Sequence, residues 1–354
     1  MSRKQSIALT RQFLVTRLFP NLNSPKELDS NQQKDRRHSI TDVFRKTYAV
    51  FPNAINFAWV QDPLPPIVVK ISQLNWAAAG FSKVSQNIRC TSGQSALATI
   101  EKFGEDACFA LTNSRRKDYI GIADGVGGWR DRGFDPSVFS SSLMRICKDM
   151  ANKKQEDPMR LIDDSYNKLL LLNKKKNFQI VGSSTVCILS FEQETGILTT
   201  ANLGDSGYLI VRNGEIIDRS EKQTHKFNIP KQLAYAPPSL RFIADMPSDA
   251  HEKKFVTHPG DLIVTATDGL FDNVPDEVLI QELSYLPHAD HIENQDLERS
   301  AKRLATRAHK NALNKSYVSP FALAAKSAGF HYTGGKMDDV TVIVSVVSDL
   351  GTAV

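Results

Sequence analysis

Short apolar stretches that end on a bare carboxylate recur along this chain, and they limit its architecture more than any other feature. "DYIGIAD" closes on Asp124, "DLIVTATD" closes on Asp268, and "DDVTVIVSVV" opens on Asp338 and Asp339. Together with "GSSTVCILSF" and "GILTTANLGDSGYLIVRNGEIID" they are short, rich in Val, Ile and Thr, and bounded by Gly, Asn or Asp, which is the pattern of strands. Asn213-Gly214, set between Arg212 and Glu215, is a strong two-residue hairpin signal, so the strands flanking it are expected to be antiparallel neighbours. Helices are expected to begin at Asp135-Pro136 and Asp157-Pro158, where the aspartate accepts the first free amides and the proline needs no amide of its own. A further helix over 295–314 would carry Leu297, Ala301, Leu304, Ala308 and Leu313 on one face. Runs of strands with helices set between them predict an α+β fold of antiparallel sheets covered by helices, and argue against a doubly wound parallel sheet.

Composition sets outer limits. A chain of 354 residues that is 41% hydrophobic and 23% charged can bury a sizeable core. A formal charge of +5 without any basic block interleaved with aromatics gives no support for nucleic-acid binding. Cys90, Cys108, Cys147 and Cys187 are scattered without a CxxC pair and read as buried reduced thiols, and the histidines, His225, His258 and His331 among them, make no spaced cluster. The first stretch holds Arg3, Lys4, Arg11 and Arg17 with no acid before Glu27, and its apolar residues are too interrupted for the roughly 20-residue run a membrane span needs. That composition predicts a mitochondrial presequence over 1–30; a linker or arm over 31–73 and a folded domain over 74–350 are expected to follow.

The carboxylates gather into a pattern. Asp124 and Asp268 end strands, Asp272 follows Asp268 by one helical turn, Asp205 sits in the turn "NLGDSG", Asp338-Asp339 opens the last strand, and Glu105-Asp106 opens another. Several carboxylates from separate strand ends suit a hard, oxygen-seeking cation such as Mg²⁺ or Mn²⁺. Gly125 and Gly269 follow two of them and leave room for the backbone to come close to an ion or a phosphate. Asp205 has an equally good second reading, as the cap of its own turn.

The ordered set "GEDACFAL", "IGIADGVGGW", "VGSSTVCIL", "TANLGDSGYLIVRNGE", "VTATDGLFDN" and "GGKMDDVTVIV", over residues 77–349, resembles the metal-dependent protein phosphatase 2C family. "DGVGGWRD", "SPFA" and "GGKxDD" are similar to its mitochondrial branch, the T-cell activation protein phosphatase 2C homologues. The resemblance implies a four-layer αββα sandwich, two antiparallel sheets face to face with helices outside. It implies Mn²⁺ or Mg²⁺, two ions and a weaker third. In it Asp124 bridges both ions, the Gly125 carbonyl binds one, Asp268 and Asp338 hold the other, and Asp205 and Asp272 support the third. Glu105 and Asp106 are the catalytic pair that orients water, which attacks phosphoserine or phosphothreonine without a covalent phosphoenzyme. The implied partners are phosphorylated mitochondrial proteins; the chain itself is expected to be a monomer.

Two positions depart from the family. A histidine that serves as general acid in many members is replaced by Val126, which leaves protonation of the leaving group to a metal-bound water. The phosphate-binding arginine is replaced by Glu101, with Lys102, Arg89 and Arg130 as candidate substitutes. A weakly active binding module with the same fold is therefore the competing expectation. An aspartyl-phosphate phosphatase is not, since it needs Asp-x-Asp and residue 126 is valine.

Overall fold

A computed structural model describes residues 69–83, 88–93, 100–153, 156–174, 180–286 and 292–353. The expected presequence, and the expected linker as far as residue 68, lie outside the described residues. The remainder belongs to one compact unit, Pro66–Val354.

Two six-stranded antiparallel sheets make up the centre. The strands are β1 (Val69–Phe81), β2 (Arg89–Gly93), β3 (Glu101–Phe103), β4 (Asp106–Thr112), β5 (Lys117–Ala123), β6 (Gly182–Ser184), β7 (Val186–Glu192), β8 (Ile197–Leu203), β9 (Gly207–Arg212), β10 (Glu215–Arg219), β11 (Thr224–Lys226), β12 (Ile229–Pro230), β13 (Leu233–Tyr235), β14 (His251–Val256), β15 (Leu262–Ala266) and β16 (Val340–Ala353). One sheet runs β10-β9-β15-β16-β1-β2 and the other β14-β8-β7-β5-β4-β3. The helices are α1 (Pro136–Lys153), α2 (Pro158–Asn173), α3 (Asp268–Phe271), α4 (Asp276–Leu283), α5 (Asn294–Leu313) and α6 (Pro320–Ser327). The first strand starts at Val69, upstream of the expected boundary at 74.

The two-residue period of each strand divides its side chains between two cores, and this produces the layers. On β4, Phe109 and Leu111 pack towards α1 and α2, while Cys108 and Ala110 enter the space between the sheets. On β5, Tyr119 and Ala123 face those helices, and Ile120 and Ile122 face the other sheet. Leu209, Val264, Val342 and Val344 on the opposite outer face meet Leu297, Ala301 and Leu304 of α5. Helix, sheet, sheet and helix are thus stacked as an αββα sandwich. Because both faces of the central strands are buried, their sequences read as continuous apolar runs rather than as alternating ones.

The local signals operate as chemistry requires. Asn213 (φ 53°) and Gly214 (φ 80°) both adopt the left-handed turn conformation between β9 and β10. Asp157 accepts the Arg160 amide at 2.9 Å and caps α2, and Asp135 Oδ1 accepts the Ser137 amide at 3.0 Å where α1 begins. Two expectations need correction. Leu313 is 58% exposed, and Ala312 takes its place in the core. After Ala308 the next residue on the same helical face is four along, and a fifth step turns the side chain away. Cys90 is only half-buried, on the sheet-edge strand β2, while Cys108, Cys147 and Cys187 are buried free thiols.

One buried aspartate joins the two sheets. Asp118 Oδ2 accepts the Leu74 amide at 2.9 Å, and its Oδ1 accepts Thr112 Oγ1 at 2.6 Å and Gln193 Nε2 at 2.8 Å. Asp118→Ala strands these donors in the interior, where each unmet one costs about 1–3 kcal/mol. We expect a loss of about 3 kcal/mol in urea unfolding. A loss within experimental error would show that water or a rearranged loop replaces the carboxylate.

Candidate metal centre

Antiparallel pairing brings all the sequence-selected carboxylates to one edge of the sandwich. Ala123, just before Asp124, lies opposite Ala107, just after Asp106. Ala266 lies opposite both Gly207 and Val342, so Asp205, Asp268 and Asp338 leave their strands at that same edge. The two sheets are stitched together there. Thr267 and Thr341, from one sheet, donate their hydroxyls to Asp106 Oδ2 of the other at 2.9 and 2.7 Å. Asp339 accepts the Lys83 amide at 2.6 Å and the Glu105 amide at 2.7 Å.

Glycine is required beside Asp124. A Cβ on Gly125 would lie 2.8 Å from the carbonyl oxygens of both Glu105 and Pro136. The chain must slip between those carbonyls before entering the 3₁₀ segment Gly127–Arg132.

The cluster is rich in anions, and lysines neutralise part of it. Lys336 reaches Asp268 Oδ2, Asp272 Oδ2 (2.9 Å) and Asp338 Oδ2 (3.2 Å). Lys83 lies 2.6 Å from Glu105 Oε2 and 3.5 Å from Asp338 Oδ1. Arg130 holds Glu105 Oε1 through Nε and Nη2 at 3.0 and 2.6 Å, and Lys222 holds Asp272 Oδ1 at 2.5 Å. Burial acts to deprotonate both lysines, yet the surrounding carboxylates overcome it and hold their pKa values above the ordinary lysine range. The acids remain short of positive charge. Burial first, and then the neighbouring carboxylates, raise Asp106 and Asp124 well above the usual range and push Asp205 up to about 7.

These residues fit a hard divalent cation. Asp106 Oδ1, Asp205 Oδ1 and Asp268 Oδ1 are buried without any hydrogen-bond partner, an arrangement that is costly unless a cation or water meets them. The donors are all oxygen, with no histidine or cysteine among them, which suits Mg²⁺ or Mn²⁺ over zinc. Among the described residues no three His, Cys, Asp or Glu side chains are drawn close enough together to hold a metal ion; lysine ammonium groups lie between the carboxylates instead. Asp205 Oδ1 makes no turn-capping bond.

Of the candidate phosphate residues, only Arg130 faces this edge. Arg89 turns to the Lys102 carbonyl and stacks on Phe103 at 5.3 Å, and Lys102 bonds Ser137 Oγ at 3.2 Å. Glu101 lies opposite Cys108, inward from the edge. Sequence reasoning missed Lys83, Lys336, Thr267 and Thr341. Lys336 stood inside the quoted "GGKMDD" and the threonines inside the strand stretches, whereas Lys83 gave no local signal.

Lys336 acts as a tethered stand-in for positive charge. Lys336→Met is expected to destabilise the EDTA-treated protein by about 3 kcal/mol, the usual scale for stripping one partner from a buried ion pair. Added Mn²⁺ should restore it and raise its Tm by more than it raises the parent's. An equal deficit with and without Mn²⁺ would refute the role.

Residues 115–347 match the family described as Stage II sporulation protein E (SpoIIE). The chain is 43% identical over 252 residues to the protein phosphatase PTC7 homolog of Danio rerio, spanning 70% of this chain and 82% of that protein. It is 42% identical over 252 residues to the PTC7 homolog of Homo sapiens, spanning 70% of this chain and 80% of that protein. The X-ray structure of the photosystem II phosphatase PBCP superposes with a TM-score of 0.58 at 30% identity, covering 69% of this chain and 92% of that one. Sequence and fold agree with the geometry of the carboxylate edge: the chain belongs to the protein phosphatase 2C family, among the PTC7 homologues.

Proposed function

We propose that this protein phosphatase hydrolyses phosphoserine and phosphothreonine in proteins, using Mn²⁺ or Mg²⁺ held at the carboxylate edge. The observation that carries this reading is the set of buried, unpartnered oxygens of Asp106, Asp205 and Asp268 in a cluster short of positive charge. Asp124, the Gly125 carbonyl, Asp268 and Asp338 would hold two ions, with Asp205 and Asp272 as a weaker third site. Divalent cations bound there supply Lewis acidity, acidifying water and offsetting charge on the phosphoryl oxygens.

The chain's own residues do the positioning. Glu105 is clamped between Arg130 and Lys83, which fixes a carboxylate oxygen at the edge where water must be oriented. Lys83 and Arg130 also line a recess of about 490 Å³ with Ser137 and Asp339. They are suited to receive phosphoryl oxygens in place of the arginine that Glu101 displaces. Val126 offers no proton. His225 is committed to Asp245 at 2.9 Å and His309 stacks on Phe81 at 4.4 Å; we assign leaving-group protonation to water.

Asp124→Asn should lower Mn²⁺-dependent hydrolysis of a phosphoserine peptide roughly 10³-fold, since several kcal/mol of transition-state stabilisation depend on the cations. Equal rates in parent and variant would favour the weakly active binding module. Lys83→Met and Arg130→Met should each weaken inhibition by inorganic phosphate about tenfold or more, the scale of one charged hydrogen bond. We further propose a mitochondrial location, supported by Arg3, Lys4, Arg11 and Arg17 in an acid-free start. A tagged full chain should reach mitochondria and a chain lacking residues 1–30 should not; identical distributions would overturn that reading.

A further inference from the structure

A groove of about 570 Å³ opens beside the carboxylate edge. Val126, next in sequence to Asp124-Gly125, lines it, as do Trp129, Arg132, Arg241, Phe242 and Ile243. Hydrogen bonds tie one side of the lining together. Trp129 Nε1 donates to Ser183 Oγ at 2.6 Å, that hydroxyl donates to Gln232 Oε1 at 2.5 Å, and Gln232 Nε2 donates to the Pro230 carbonyl at 2.9 Å. Gln232 is fixed in turn through its amide to Asp245 Oδ2 at 2.9 Å. The Trp129, Gln232 and Pro230 side of the groove is therefore held in place before any ligand arrives, and filling it orders little new structure there.

Its chemistry differs from that of the edge it adjoins. The base is apolar, with Trp129 buried and Phe242 set against it at 6.1 Å between ring centroids. Phe242 and Ile243 are 39% and 44% exposed, so apolar area is available to a partner. Two exposed arginines stand on the rim: Arg132 lies over the Trp129 ring at 5.2 Å and donates to the Arg241 carbonyl at 2.6 Å. Among the described residues no carboxylate lines the groove. A few residues away, the edge itself concentrates anions.

We propose that this groove binds the stretch of substrate chain that flanks the phosphoresidue, and that it selects phosphosites with an acidic and a large apolar side chain close by. The apolar side chain seats against Trp129 and Phe242, and the acid pairs with Arg132 and Arg241. Continuity through Val126 supplies the occupant: a phosphoresidue held at the edge must lead its own neighbours along the groove. Charge complementarity supplies the preference, since a basic flank would meet two arginines. The proposal rests on the phosphatase reading of the edge.

The test uses the full chain with Mn²⁺ and phosphoserine peptides flanked on either side by Leu and Glu, by Leu and Lys, or by Gly alone, with p-nitrophenyl phosphate as a substrate that has no flank. The Leu and Glu peptide should exceed the Lys peptide about fivefold or more in kcat/KM, the scale of one ion pair. Arg241→Glu should erase or invert that ratio, and Phe242→Ala should remove the advantage of Leu over Gly. Neither variant should alter p-nitrophenyl phosphate turnover. Fluorescence anisotropy of the same peptides on the Asp124→Asn protein reads the groove without turnover. Failure of p-nitrophenyl phosphate hydrolysis alone would thus strike the phosphatase reading, with the groove still judged by binding. Equal kcat/KM and equal binding for the Glu and Lys peptides, or a preference unmoved by both Arg241→Glu and Phe242→Ala, would overturn the proposal.

Discussion

Mutual repulsion among carboxylates governs one end of this molecule. Glu105, Asp106, Asp124, Asp205, Asp268, Asp272, Asp338 and Asp339 converge there, and the basic groups that touch them are Lys83, Arg130, Lys222 and Lys336. Left in water, these acids would separate. They stay together because the strands that carry them are held by three apolar layers, one between the sheets and one on each outer face. The imbalance is expressed in protonation, with Asp106, Asp124 and Asp205 all displaced upwards by burial and by one another. Such a cluster lowers stability and is retained where the strain serves a site.

The parts of this architecture that were legible in sequence are those fixed by local stereochemistry. Asn213-Gly214 specifies its hairpin because both residues tolerate positive φ, and Asp157 specifies a helix start because its oxygen lies within reach of the Arg160 amide. The carboxylates were legible because strand ends are legible. What escaped depends on contacts distant in sequence. Lys83 comes to Glu105 only because β1 and β4 belong to facing sheets, and nothing near residue 83 announces it. The choice of Arg130 over Arg89 is of the same kind: Arg89 has a carbonyl and an aromatic face close by, and these claim it first. Leu313 shows the opposite limit, a position where apolar character and approximate spacing were read as burial although the helical phase had already moved past the core.

Adjacent acids at this edge divide their labour, and geometry assigns the parts. In Asp338-Asp339, Asp339 accepts the amides of Lys83 and Glu105, one on each oxygen, so it is a structural clasp between segments, while Asp338 Oδ2 meets the Lys336 ammonium and its Oδ1 accepts the Asp339 amide with the Lys83 ammonium at 3.5 Å. In Glu105-Asp106 the longer side chain reaches outwards to Arg130 and Lys83, and the shorter one turns inwards to Thr267 and Thr341. Each pair of acids at the entry to a strand thus places one group among the basic side chains and one where it accepts hydrogen bonds from distant segments. The same doublet that places a ligand also anchors the backbone that carries it. The separation between carboxylates is thereby set by interior hydrogen bonds, and whatever cation enters must accept a spacing that the fold has already fixed.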